Sequence, residues 1–342
     1  MRAGTLSAAL LCFFVGAAAA APMDKRCADY SGVPDETRVT AGMAFVPGGA
    51  FAMGAERQYP EESATRIVRV DGFYIDRHEV TNAQFKRFVD ATGYVTVAER
   101  GPDASKHLAA DVSGPGSVVF VPPLKGGDVT RWWQYVKGAS WQHPQGPGSS
   151  IAGLNNSPVV HIAHDDALAY AKWMGRELPT EAQWEYAARG GREDGTLENA
   201  AFDAAGKPAA NTWQGIFPVY DTVDDGYAAI APVACFKPNG FGLYDMIGNV
   251  WEWTGDWYLA GHARHPETNP MGPNLLQMRL ATGATPTKVI KGGSFLCSGN
   301  FCSRYRGSAR QPQEVDLGTS HIGFRTVLNR APATDAAALA PR

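Results

Sequence analysis

Apolar stretches in this 342-residue chain are short and are cut by glycine or proline almost as soon as they begin. With 38 Gly and 23 Pro, and aromatic residues at 11%, such a chain is expected to form many turns and irregular segments pinned by large rings, not a helical bundle. Met43 to Gly54 reads as strand–turn–strand hinged on Pro47-Gly48-Gly49, and Arg66 to Ile75, rich in Ile, Val and aromatics, as a further strand. Thr81 with Gln84 forms a capping box; Phe85, Phe88 and Val89 give an apolar stripe at helical spacing, and Gly93 stops that helix. A second helix is expected from about Asp165 to Met174, and a third from Thr180, capped with Gln183. Residues 94–157 are irregular, but Trp132, Trp133, Tyr135 and Trp141 argue that they are packed and functional. Residues 259–286 read as an exposed excursion. No repeat or convincing internal linker is present, so a single domain is expected.

The ends read differently. Arg2, the apolar run Leu6 to Val15 and the small residues Ala17 to Ala21 form the pattern of a secretory leader over residues 1–21. A loose arm is expected over 22–41, the folded domain over 42–328 and a frayed tail over 329–342. No other apolar run approaches the ~20 residues of a spanning helix, so an exported protein, periplasmic or secreted, is expected, with the endoplasmic-reticulum lumen as the alternative. Formal net charge is −3 with both signs dispersed, which excludes an electrostatic footprint for nucleic acid or an anionic membrane.

Leader removal takes Cys12 and leaves Cys27, Cys235, Cys297 and Cys302, which allow three complete pairings. Cys297 and Cys302 sit on a Gly- and Ser-rich frame from Lys291 to Arg306, followed closely by Arg304, Arg306 and Arg310. Spacing in an exported protein favours a structural disulfide between them. Against this, nearby cations favour the thiolate, and two soft thiolates suit Cu(I) or a redox pair. Zinc lacks its usual partner spacing. The acidic loops Asp221 to Tyr227 and Asp245 to Glu252 have hard-cation chemistry without EF-hand spacing, and ordinary turns are the simpler reading. His78, His161 and His164 lack ligand spacing and are expected to be structural.

Taken together and in order, Glu79-Val-Thr-Asn82, Pro158-Val-Val-His161, Leu178 to Tyr186, Asn239 to Tyr244, Gly248-Asn-Val-Trp-Glu-Trp253, Lys291-Gly-Gly-Ser294 and Gly323-Phe-Arg325 resemble the formylglycine-generating enzyme family over about residues 42–328. The specific part is Gly292 to Arg306, with its two cysteines and Arg-Tyr-Arg; Trp132-Trp133 and Lys137 to Pro147 also match the catalytic branch. The resemblance implies a C-type-lectin-like fold, mixed α/β with little regular secondary structure. It also implies a copper-dependent oxidase that uses O2 and a thiol reductant. Its substrate would be an unfolded sulfatase polypeptide, in which a Cys within Cys-x-Pro-x-Arg becomes Cα-formylglycine. A monomer is expected.

By the same resemblance Cys297 and Cys302 would hold Cu(I). Ser294 would be the active-site serine and Trp251 an aromatic wall near the oxygen site, while Asp103, Phe301 and Arg306 would face substrate. Two structural calcium ions would be held, one by Asn211 and Asp225 with the carbonyls of Thr212 and Tyr227, the other by Asp245 and Glu252 with the carbonyls of Gly248 and Val250. The chain departs from many members at Ser298-Gly-Asn-Phe301, where Phe301 lacks a hydroxyl. It also has Ala171, Ala187, Gly307 and Thr326 where animal members place disulfide cysteines. A non-catalytic sulfatase-binding paralogue is the alternative, and retention of both cysteines speaks against it. An iron sulfoxide synthase would need a His-x-x-x-His-x-Glu set that is absent.

Overall fold

A computed structural model describes residues 27, 33–34, 37–55, 59–62, 65–103, 112–123, 131–192, 201–261, 267–282 and 285–329. The expected leader and most of the arm and tail lie outside these residues.

The described chain mixes short strands and helices with long stretches of coil. Strand β1 (Met43–Val46) pairs with β4 (Phe73–Asp76), while β2 (Gly49–Met53) pairs with β3 (Arg66–Val70), both antiparallel. The expected single strand from Arg66 to Ile75 is thus two. Asp71-Gly72 breaks it, and its halves take different partners, because Gly72 passes so close to the Phe45 ring and the Gly48 backbone that a Cβ would collide. Helix α1 (Asn82–Thr92) carries the expected capping box, with Thr81 and Gln84 satisfying each other's backbone N–H, and ends at Gly93 in the left-handed region. The irregular stretch 94–157 holds a one-turn helix α2 (Val97–Arg100) and the hairpin β5 (Gly116–Phe120) with β6 (Trp133–Lys137). Helix α3 runs His164–Trp173.

Helix α4 (Glu181–Arg189) starts in a second capping box, Thr180 with Gln183, and nearly all of its residues are buried. Its acidic side chains anchor a four-stranded sheet. A short antiparallel pair, β7 (Gly215–Ile216) and β8 (Tyr220–Asp221), precedes that sheet in the chain. The sheet itself contains β9 (Trp251–Trp257), β10 (Thr287–Lys291), β11 (Arg310–Glu314) and β12 (Ile322–Gly323), in the order β11-β10-β9-β12. The stretch read as an exposed excursion is partly structured: helix α5 (Leu275–Thr282) lies before β10 and buries Met278 completely. Finally β13 (Val327–Leu328) joins β4. Among the described residues no helix is long and apolar enough to cross a membrane.

His78, His161 and His164 are buried. Each is hydrogen-bonded through its ring: His78 Nδ1 with the Glu79 carbonyl, His161 Nδ1 with Ser117 and Nε2 with the Pro144 carbonyl, and His164 Nε2 donating to the Thr254 carbonyl. Burial above all, with Lys288 nearby, pushes His164 down to about 3. The unfolded chain therefore takes up this proton near pH 6.5 while the folded chain refuses it, and stability is lost as pH falls from 6.5 towards 3. His164→Gln lacks this liability. In urea titrations the wild type's stability relative to the variant is expected to fall by up to about 1.4 kcal/mol per pH unit below about pH 6; a pH-independent difference would contradict the buried neutral state.

Candidate active site and cation sites

Strands β10 and β11 run side by side with Lys291 opposite Arg310. Both residues are fixed by α4: Lys291 Nζ lies 3.2 Å from Glu185, and Arg310 makes a bidentate pair with Glu181 at 2.7 and 2.9 Å. Residues 292–309 are the excursion between these two anchors. Gly293 (φ 73°) lies so tightly on the backbone of Arg304 and Tyr305 that a Cβ would come within 2.9 Å of it, so the Gly-Gly of the motif brings the start and end of the excursion together. Within it the N–H of Cys297 donates to the Ser294 carbonyl, and that of Cys302 to the Ser298 carbonyl.

These turns place Cys297 Sγ 3.0 Å from Cys302 Sγ. Both are buried free cysteines, in one core cluster with Trp251, Trp253 and Tyr305. The disulfide favoured by spacing does not form there; it joins Cys27 to Cys235, 208 residues apart. Its physical basis is tertiary: Cys27 is fully buried, and its carbonyl accepts from Asn156 Nδ2. Burial and the neighbouring sulfur push the Cys297 thiol up, and the Cys297 hydrogen bond pulls Cys302 down, helped by Arg304. Two sulfurs in hydrogen-bond contact, one of them drawn towards the thiolate, are a donor set that fits a soft monovalent metal.

Ser294 is fully buried beside the pair and accepts from the Leu296 N–H; Trp251, at the start of β9, is also buried. Phe301 is 51% exposed, stacked on Phe217 at 4.6 Å and edge-on to Trp132 at 5.4 Å. Phe120 and Trp213 extend this aromatic wall. A cavity of about 600 Å³, mostly apolar, shares Phe120, Trp213 and Phe295 as lining. One expected substrate contact falls elsewhere. Arg306 is turned inward, its guanidinium paired with Glu62 and its Nε donating to the Ser303 carbonyl at 2.7 Å, so its charge is committed within the protein. Asp103 lies in exposed coil after α2.

Members of each expected calcium set are neighbours: Asp225 with Thr212 and Tyr227, and Asp245 with Glu252. Asp225 accepts from the N–H groups of Thr212 and Tyr227, and Asn211 keeps a buried Oδ1 with no hydrogen-bond partner. Sequence reasoning missed Gln214, whose amide nitrogen contacts the Thr212 carbonyl and Asp225 Oδ2. In the second set Gly248 (φ 75°) would press a Cβ onto the Asn211 carbonyl at 2.3 Å, so only glycine fits there. Asp245 accepts from the Ala234 N–H, and Glu252 is gripped by Arg325 at 2.6 Å and by Trp184 Nε1 at 2.8 Å. This acidic cluster includes one residue not foreseen, Glu79: its Oε2 is buried without a partner, while Oε1 accepts from Asn249. Burial, then Asp245, pushes Glu79 up, and burial pushes Asp245 to about 6. Three carboxyls facing one guanidinium leave a negative excess that suits a divalent cation. No three His, Cys, Asp or Glu side chains among the described residues converge at ligand spacing, so a hard cation would also need amide and carbonyl oxygens. The orphaned amide oxygen of Asn211 is available for that, and Glu79 adds an unpartnered carboxyl oxygen.

The fold and the cysteine centre define a class. Residues 30–330 match the family described as the sulfatase-modifying factor enzyme 1-like domain, and the chain belongs to the formylglycine-generating enzyme family. It is 48% identical over 293 residues to the formylglycine-generating enzyme of Mycobacterium tuberculosis H37Rv, covering 82% of this chain and 96% of that one. It is 35% identical over 295 residues to the inactive C-alpha-formylglycine-generating enzyme 2 of Mus musculus, covering 83% and 84%. In fold it matches the structure of PvdO from Pseudomonas aeruginosa, with a TM-score of 0.59 at 21% identity over 87% of this chain and 98% of that one.

Proposed function

We propose that the protein is a formylglycine-generating oxidase that matures sulfatases, converting a Cys within a Cys-x-Pro-x-Arg segment of an unfolded sulfatase to Cα-formylglycine. The observation that carries this is the pair of unbridged sulfurs 3.0 Å apart, Cys297 and Cys302, in a chain whose other described cysteines form a disulfide. A non-catalytic paralogue would have no use for two buried free thiols kept side by side.

Cys297 and Cys302 would hold one Cu(I), which supplies O2 activation and a third position for the substrate thiolate. The protein's residues do the rest. Phe301, Phe217 and Trp132 form an apolar wall against which an extended peptide can lie, and the cavity lined by Phe120 and Trp213, which pack on Phe217, gives apolar flanking side chains somewhere to go. Burial of Ser294, Trp251 and both cysteines keeps water from the reacting sulfur. The reaction balances when the substrate's CH2–SH and O2, with two electrons and two protons from a thiol reductant, give an aldehyde, hydrogen sulfide and water. Export to a periplasmic or secretory space, suggested by the leader pattern, would place the enzyme with unfolded exported sulfatases. The test is incubation of copper-loaded protein in air with reductant and short Leu-Cys-Thr-Pro-Ser-Arg peptides, following peptide mass. Replacement of sulfur by oxygen with loss of two hydrogens is expected; unchanged mass on every peptide overturns the reading.

Two calcium ions would serve stability, one at Asn211, Thr212, Asp225 and Tyr227, the other at Asp245, Gly248, Val250 and Glu252 with Glu79 alongside. Calcium is expected to raise the melting temperature and EDTA to lower it, by several degrees for a site occupied at about 100 times its Kd. Glu79→Gln should shrink the calcium increment; an increment equal to wild type would exclude Glu79.

A further inference from the structure

The strand-linking segment Tyr59–Glu62, far from the cysteines in sequence, lies against the residues that follow Cys302. Tyr59 Oη accepts from the Ser303 N–H at 3.0 Å and pairs with Ser303 Oγ at 3.0 Å. Glu61 takes Nε and Nη2 of Arg304, both at 2.6 Å, and Glu62 takes Arg306. The Glu61 carbonyl is in turn held by Arg310 Nη1 at 3.4 Å. The guanidinium of Arg304 is therefore constrained on three sides. One edge is on Glu61, its face lies over the Tyr59 ring at 3.8 Å, and the remaining nitrogen, Nη1, is aimed at Cys302 Sγ at 3.8 Å.

From this geometry we infer that Arg304 is a positioning residue for the copper-binding sulfur of Cys302, and that Tyr59 and Glu61 hold it in place. The inference rests on the copper reading above. Two thiolates around one monovalent ion leave a net negative charge, and a third thiolate from substrate adds another. In a site where Cys302 is only 9% exposed, that charge is poorly solvated, and a guanidinium in contact with the sulfur compensates it. A planar fork locked at its other edge does this at a fixed distance, which a lysine cannot reproduce.

The test is Cu(I) affinity, measured anaerobically by competition with a chromogenic Cu(I) chelator, for wild type, Arg304→Gln, Arg304→Lys and Glu61→Gln, each checked for its melting temperature and its ultraviolet thiolate-to-copper band. Arg304→Gln is expected to weaken binding about 10-fold or more, the usual scale for losing a partner of a metal ligand. Arg304→Lys should fall in between. Glu61→Gln decides between placement and bulk charge. Removing a carboxylate near an anionic copper centre would tighten binding if only net charge mattered, whereas releasing Arg304 weakens it. Weakening in Glu61→Gln with the band retained supports the inference. Tightening there, or affinity within about twofold of wild type in Arg304→Gln, overturns it. Should Arg304→Gln not fold, Arg304→Lys and Glu61→Gln carry the same decision. A wild type that binds no Cu(I) overturns the copper reading as well, and is thereby distinguishable.

Discussion

Cys302→Ser and Cys297→Ser are each expected to reduce peptide conversion to background while leaving the fold in place. Serine preserves the size of the side chain and the turn around it, in which backbone N–H groups donate to Ser294 and Ser298. It replaces a soft thiolate with a hard hydroxyl that stays protonated and does not hold Cu(I). Free buried cysteine packs as a small hydrophobe, so the stability change should stay near about 1 kcal/mol, the ordinary size for a point mutation. Loss of conversion with an unchanged circular dichroism spectrum is the expected pair of results. Full activity in both variants would mean that the sulfur pair is not the reacting centre.

The largest loss of stability is expected from Arg325→Met. This guanidinium is wholly buried. It grips Glu252 through Nε and Nη2 at 2.6 Å, and also reaches the carbonyls of Asp76, Tyr244 and Asp245. Its removal leaves Glu252 buried beside Glu79 and Asp245 with no compensating cation in contact, which costs about 3–5 kcal/mol when one member of a buried ion pair is lost. The exposed pair Lys86–Asp90 is the control: Lys86→Ala should cost about 0.3–0.5 kcal/mol, as for other helix-surface pairs. Urea denaturation at about pH 7 separates the two. Calcium should rescue part of the Arg325→Met loss, since a divalent ion neutralises the same carboxylates.

What could be read in the sequence was local. Thr81 with Gln84 and Thr180 with Gln183 announce helix starts because a capping box is contained in four residues, and both are present. Gly93 ends its helix in the conformation glycine favours. The break at Asp71-Gly72 was hidden, because it arises from Phe45 and Gly48 crossing from another strand. Cysteine pairing was equally hidden: Cys27 and Cys235 are 208 residues apart, and no local rule brings them together. The candidate site was legible as a motif, since Gly-Gly-Ser and Arg-Tyr-Arg frame both cysteines, but its supports were not. Glu61 and Glu62 reach Arg304 and Arg306 across more than 240 residues, and in sequence they look like surface acids. Arg306 shows the same limit from the other side: the family resemblance implied a substrate contact, and burial against Glu62 gave it a partner within the protein.

The central claim is that Cys297 and Cys302 are unbridged sulfurs that jointly hold one Cu(I). Native mass spectrometry of the reduced, copper-loaded mature protein, followed by alkylation and peptide mapping without reduction, tests it most directly. One copper per chain is expected, lost in both serine variants, with Cys27 and Cys235 recovered linked and Cys297 and Cys302 alkylated once the metal is removed. Recovery of Cys297 linked to Cys302 in protein that has never been oxidised, or copper retained by both serine variants, would contradict it.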